Sequence, residues 1–219
     1  MSRLPKIIVS GVAHPVTKRG NRRQRVFGVD DDYALYKDWL AKSCRQNGVE
    51  VTSYCLLHNH VHLILVPADD TGSSRAIGEM HRRYSSYINA RLRVTGNLFQ
   101  GRFGSVAMEK SPLLAVFRSV EINPVKTKML AQASDWVWSC TKAHLSGKDD
   151  GLASVPALPD RVDNISEFFA ATPEQELEFA LEMGQYIGRP LMEARAGGTR
   201  KKAKATCSPR YGGSTEEKG

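Results

Sequence analysis

Long apolar runs are missing from this chain. Nowhere in its 219 residues do 18 apolar residues follow one another, as a helical membrane span would need. The opening stretch, MSRLPKIIVSGVAHPV, holds too short an apolar run for a secretory signal. The expectation is a cytoplasmic protein with no membrane partner. Cysteine is sparse as well. Cys44, Cys55, Cys140 and Cys207 are widely separated and form no CxxC pair, which argues against a zinc ribbon or a disulfide-stapled secreted scaffold and for reduced thiols. Acidic residues are outnumbered, 23 Asp+Glu against 31 Lys+Arg, so the net charge is +8 and a polyanion is the natural partner. What is present is ordinary for a globular domain, with 41% hydrophobic and 25% charged residues, enough to bury one sizeable core.

Along the chain, Ile7 to Thr17 reads as a strand entering a loop, Lys18 to Arg25, that carries five basic residues. Asp30-Asp31-Asp32 offers N-cap chemistry to a helix over Tyr33 to Gln46, which stops at Asn47-Gly48. The pattern then turns β: Val49 to Leu57, a polar break at His58-Asn59, and a second strand, His60 to Val66. Side chains alternate along a strand, so His60, His62 and Ile64 share one face while Val61, Leu63 and Leu65 share the other. A long helix follows over Ser74 to Leu92, then a short β-like run from Ser105 to Met108, and a helical stretch opened by Pro112 that continues toward Leu130. The order β-α-β-β-α-β followed by a helix predicts an α+β fold, a ferredoxin-like split βαβ antiparallel sheet with helices on one face. Three segments are expected: a domain over 1–146, a C-terminal extension over 147–193 with a helix around Pro173 to Tyr186, and a disordered basic tail over 194–219.

His58-Asn59-His60-Val61-His62-Leu63-Ile64-Leu65 resembles the HUH signature, two histidines flanking one hydrophobic residue on a central strand. Taken alone, two strand histidines suit surface or core positions as well as metal ligation. Further pieces follow in order. Pro15 to Gln24 is similar to the family's first strand and basic loop, and Gly96-Asn97-Leu98-Phe99-Gln100-Gly101-Arg102-Phe103 to its G-x-L-F-Q-G-R-F segment. Glu121-Ile122-Asn123-Pro124-Val125-Lys126 matches the x-x-N-P-V-[RK] helix end, and Trp136-Val137-Trp138-Ser139 the following W-S element. Together they cover roughly Val12 to Leu145 and resemble the REP-associated tyrosine transposases, a branch of the HUH single-strand transposases.

That resemblance implies a divalent cation, Mg²⁺ or Mn²⁺, held by His60, His62 and Asn123 and acting as a Lewis acid on a scissile phosphate. Asn123 has a second reading as a helix-terminal residue that merely precedes Pro124. The family's nucleophile is a tyrosine four residues before that asparagine, and here the position is Ser119, whose hydroxyl is too short to take over. Tyr84 and Tyr87 on the preceding helix are alternative sources, though their spacing suits packing first. The implied partner is single-stranded or hairpin DNA, bound by Arg19, Asn21, Arg22, Arg23, Gln24 and Arg25 of the loop, Arg82 and Arg83 of the second helix, and Gln100 and Arg102. A charged helix face can equally be only a solvated face. The reading is a transposase-like DNA strand transferase, nucleoid-associated when bound to DNA, as monomer or homodimer. The alternative, motivated by Ser119, is a catalytically inactive DNA-binding or regulatory derivative. A third is an interaction domain with incidental charge.

Overall fold

The computed structural model describes residues 8–101, 103–105, 107, 108 and 110–154. Arg102, the helix expected around Pro173 to Tyr186 and the basic tail lie outside the described residues. The described elements are β1 (His14–Arg19), α1 (Asp30–Gln46), β2 (Val49–Leu57), β3 (His60–Pro67), α2 (Gly72–Leu92), β4 (Gly104–Ser105), α3 (Lys110–Glu121), a one-turn α4 (Asn123–Lys126) and α5 (Thr141–Ser146). The strands form one antiparallel sheet in the order β2-β3-β1-β4, the arrangement of a ferredoxin-like split βαβ layer. No helix among the described residues is long and apolar enough to cross a membrane.

The alternation read along β3 sorts the two faces. Val61, Leu63 and Leu65 pack with Val16, Tyr54 and Leu56 into the main core beneath α1 and α2, where Tyr36, Leu40, Ile77 and Tyr84 are fully buried. On the opposite face, Ile64, Cys55, Leu57 and Ala13 pack against Leu113, Val116, Phe117 and Val120 of α3. The two crossover helices thus share one face as expected, and the helix that follows them covers part of the other. A register shift between Val51 and Ser53 lets this work for β2. One extra residue, Thr52, re-aims the strand so that Val51 and Tyr54 face the main core while Ser53, Cys55 and Leu57 face α3.

Several boundaries differ from the sequence reading. β1 begins at His14 and runs to Arg19, later than expected, because Lys18 is drawn into the sheet: its ammonium is buried and donates to the carbonyls of Gln100 and Gly101. β4 is only Gly104–Ser105, paired to Thr17 and Val16. The helical run toward Leu130 is broken at Ile122, since Pro124 has no N–H to continue the ladder and α4 restarts with the proline in its first turn. Residues placed in the extension by sequence pack back on the domain. Ser154 donates its N–H to Val51 O, Ala153 is buried, and Asp150 accepts from Lys37 and from the Tyr54 hydroxyl.

Candidate nucleic-acid site

The face of the sheet that α3 covers only in part holds a cavity of about 520 Å³. β1 and β3 form its floor with Thr17, Arg19, His60 and His62; α3 and α4 form its wall with Ser119, Asn123 and Lys126; Arg23 of the basic loop stands at its rim. The structure therefore brings together six of the sequence-predicted residues: His60, His62, Asn123, Ser119, Arg19 and Arg23. Ser119 and Asn123 reach the same space although the helix is interrupted between them.

The two imidazoles are adjacent, their ring centroids 4.9 Å apart. Each is oriented by a neighbour through Nδ1: His62 by the Thr17 hydroxyl at 3.0 Å and His60 by Asn59 Oδ1 at 2.6 Å. In His60, with Nδ1 donating, Nε2 keeps its lone pair. Burial, reinforced by Arg19, pushes the His60 pKa down to about 4. Burial, then His60, Arg19 and Lys126, pushes that of His62 down to about 3. Both rings are neutral at pH 7, the form that ligates a cation. Two neutral nitrogens and the Asn123 amide make a donor set that fits a divalent metal with positions left for phosphate oxygens and water.

Lys126 was not singled out by the sequence. It follows Asn123 by three residues on α4, so both point to one side of a single helical turn. Its ammonium donates to Ser119 Oγ at 3.2 Å, and burial lowers its pKa. Among the described residues the lining includes three cations, Arg19, Arg23 and Lys126, and no carboxylate, which suits a phosphodiester. The basic loop is pinned beside them by Gly20 N to Asn59 O (2.7 Å), Asn21 N to Leu98 O (2.8 Å) and Gln24 Nε2 to Leu98 O (2.9 Å). Arg22 and Arg23 both hold left-handed backbone, φ 51° and 60°, a conformation non-glycine residues adopt at a cost. Arg25 sits at the end of that loop, where it lowers the pKa of His58 after burial does; the exposed His58 ring is bonded to the Tyr33 hydroxyl at 2.7 Å.

Other predicted residues lie elsewhere. Tyr84 is fully buried beneath the opposite face of the sheet, its hydroxyl donating to Val26 O at 2.8 Å. Tyr87 is partly exposed on the outer side of α2, edge-on to Trp39. Arg82 and Arg83 are on α2 too, and the Arg83 guanidinium stacks 4.0 Å over the Trp39 ring. Gln100 holds the sheet edge through its backbone, donating to Arg19 O at 2.8 Å. Among the described residues no tyrosine lines the cavity.

A second group of chemistry-bearing side chains lies behind the wall. Glu121, Cys140 and His144 are buried, with potential ligand atoms within 4.8 Å of one another.

Comparison with known proteins bears on the fold and the family. Among solved structures the chain is similar to a REP-associated tyrosine transposase bound to a REP hairpin, at 24% identity and a TM-score of 0.57, over 71% of this chain and 90% of that one. That likeness is one of fold. A candidate transposase from Deinococcus radiodurans R1 is also matched, at 19% identity and a TM-score of 0.38, over 58% of this chain and 94% of that one. A search of curated proteins found no match. The family model for IS200-like transposases matches residues 9–122, more than half of the chain, and the chain belongs to that family.

Proposed function

We propose that the cavity grips a phosphate of single-stranded, hairpin-bearing DNA in the manner of a transposase site, and that the strand-transfer step is silent in this member. The observation that carries the reading is the meeting of His60, His62, Asn123, Arg19, Arg23 and Lys126 around one open cavity that Ser119 also lines; the resemblance of the sequence puts the family's tyrosine at that position. His60, His62 and Asn123 would hold a divalent cation, which when bound supplies charge stabilisation to a phosphate. The rest falls to the chain's own groups. Arg19 and Arg23 bind phosphate oxygens through planar, always-charged guanidinium forks, and Lys126 adds a point charge beside Ser119. Asn59 Oδ1, an acceptor, holds the His60 proton on Nδ1, and the Thr17 hydroxyl orients the His62 ring. Asn21 and Gln24 extend the contact along the strand, with Arg22 and Arg25 on its outer side. Ser119 Oγ, held to Lys126, is too short to attack a phosphate seated over the histidines.

An active transposase is the second reading, favoured by the same intact set of surrounding groups; it needs a tyrosine from outside the described residues, such as Tyr186 or Tyr211. One experiment separates them. Labelled hairpin oligonucleotides are titrated with protein across a range of salt with Mn²⁺, then analysed on a denaturing gel and by intact mass. Binding that weakens steeply with salt and leaves no protein–DNA adduct is expected. Absence of salt-sensitive binding overturns the DNA reading, and an adduct mapped to a tyrosine overturns the silent step.

A further inference from the structure

Glu121 ends α3, Cys140 precedes α5, His144 lies within α5, and Ser53 faces them from β2. All four are buried, and neither Glu121 nor its partners line the DNA cavity. Glu121 Oε1 collects every nearby donor: His144 Nδ1 at 2.5 Å, Ser53 Oγ at 3.2 Å and Cys140 Sγ at 3.3 Å. The other carboxylate oxygen, Oε2, and the other imidazole nitrogen of His144, Nε2, are buried with no hydrogen-bond partner. Buried polar atoms without partners are rare in folded proteins because each has given up its water for nothing. The proximity of one carboxylate, one thiol and one imidazole, with potential ligand atoms within 4.8 Å of one another, is what points to a metal here. Cys140 is over-subscribed in the opposite sense: its one thiol proton faces Glu121 Oε1, Ser53 Oγ and Tyr54 O, while Tyr54 N–H donates to the sulfur at 3.1 Å.

We propose that Glu121, Cys140 and His144 form a structural zinc site behind the DNA cavity, with Ser53 Oγ as the neighbouring fourth donor. The donor set is one sulfur, one nitrogen and one carboxylate oxygen, which suits zinc and excludes the hard cations magnesium and calcium. Charge closes as well. A dication with a thiolate, a carboxylate and a neutral imidazole sums to zero, which is what a dry interior requires. On binding, the Cys140 thiol proton leaves to solvent, the His144 proton moves from Nδ1 to Nε2 so that Nδ1 can ligate, and the Tyr54 N–H already aimed at the sulfur stabilises the thiolate. The oxygen and nitrogen now 2.5 Å apart would open to about 3.3 Å, the separation of two ligands on a tetrahedral zinc ion. Glu121 is two residues from both Ser119 and Asn123, so the ion would clamp the wall of the cavity to β2 and α5.

The test uses the full chain purified without chelator and without a metal-affinity tag, its zinc content read by plasma mass spectrometry. About one ion per chain is expected, retained in the His60→Ala/His62→Ala double variant and lost in Cys140→Ser. Replacement by cobalt should give a thiolate-to-cobalt charge-transfer band that Cys140→Ser abolishes. If Cys140→Ser does not fold, X-ray absorption at the zinc edge of the wild-type chain decides: a sulfur neighbour supports the site, and oxygen and nitrogen neighbours alone overturn it. The proposal also fails if folded Cys140→Ser keeps its zinc, if zinc leaves with the double variant, or if the reconstituted wild-type chain holds only traces. None of these outcomes bears on DNA binding in the cavity.

Discussion

Replacing Ser119 with tyrosine should switch on metal-dependent cleavage. Ser119 is half-buried on the cavity wall, in the same space as His60, His62 and Asn123, with its hydroxyl held by Lys126 at 3.2 Å. From ordinary bond lengths a serine oxygen lies about 2.4 Å from its Cα and a tyrosine oxygen about 6.5 Å, so the substitution advances the nucleophile by about 4 Å. The cavity, at about 520 Å³, has room for the ring. A positioned nucleophile is worth several powers of ten over an unpositioned one. A gain of at least about 10³-fold over the wild-type chain, about 4 kcal/mol of barrier, is expected. The assay is a labelled hairpin oligonucleotide with Mn²⁺, read by denaturing gel for the cut strand and by intact mass for a covalent adduct on the introduced tyrosine. Ser119→Phe supplies the ring without the hydroxyl and should bind the hairpin with no adduct. Adding His60→Ala to Ser119→Tyr should abolish the gain. A folded Ser119→Tyr chain that binds the hairpin and never forms the adduct would refute the placement of a phosphate over His60 and His62.

Three further outcomes follow from the same geometry. Thr17→Val removes the hydroxyl that orients His62 at 3.0 Å; Mn²⁺ affinity by calorimetry should fall about 10–100-fold, and an unchanged affinity would mean that His62 is not a ligand. His81, buried against Phe99 and bonded to the Tyr36 hydroxyl at 2.7 Å, has its pKa pushed down to about 3, first by burial and then by Lys18. An unfolded chain binds the proton this folded site refuses, so stability is lost as pH falls from 6.5 toward 3, at about 1.4 kcal/mol per pH unit from His81 alone. In urea unfolding His81 should account for roughly 2 kcal/mol of the loss between pH 6.5 and 5, on top of what His60 and His62 contribute, and His81→Gln should lower the slope by about one proton; an unchanged slope would refute the assignment. Gly20→Ala would set a Cβ 2.2 Å from Gln24 O and 3.1 Å from Asn59 O, forcing the basic loop off the sheet. A loss of about 2–3 kcal/mol in stability and weaker hairpin binding are expected, while Gly28→Ala, whose closest contact is 3.4 Å, should be nearly neutral in both thermal melts and binding.

The parts of this fold that could be read from the sequence are those where one local rule dominates. Alternation over His60 to Val66 assigned both faces of β3, because one face is dry under α1 and α2 and tolerates only apolar residues. Asp30-Asp31-Asp32 marked the start of α1, where the buried Asp32 carboxylate accepts the N–H groups of Gly28 and Val29. That carboxylate also ties α1 to α2 through Arg91; burial opposes its ionisation, but Arg91 and the two backbone donors outweigh it and hold its pKa low. Long-range partners defeated the reading. Lys18 looked like loop, and becomes strand only because the Gln100 and Gly101 carbonyls, more than 80 residues on, receive its ammonium. Lys126 stood in the sequence only as the basic residue closing the x-x-N-P-V-[RK] match, and its place beside Ser119 emerges from the fold, where α4 restarts after Ile122. His144 had no partner in sequence, since Glu121 lies 23 residues away and meets it only after the W-S segment has run beside β2.

The two faces of the sheet explain why a site sits where it does. α1 and α2 seal one face completely, leaving no polar side chain of β3 on that side. α3 packs over the β2 side of the other face, on Cys55 and Leu57, and over Ile64 of β3, so the neighbouring stretch of β3 and β1, paired beside Cys55 and Leu57, stays open. The residues on that open stretch are His60, His62, Thr17 and Arg19, which no helix could cover without leaving buried polar groups unpaired. Sheet polarity and helix coverage are thus two consequences of one pattern, and any substitution that makes this stretch apolar should draw α3 across it and close the cavity.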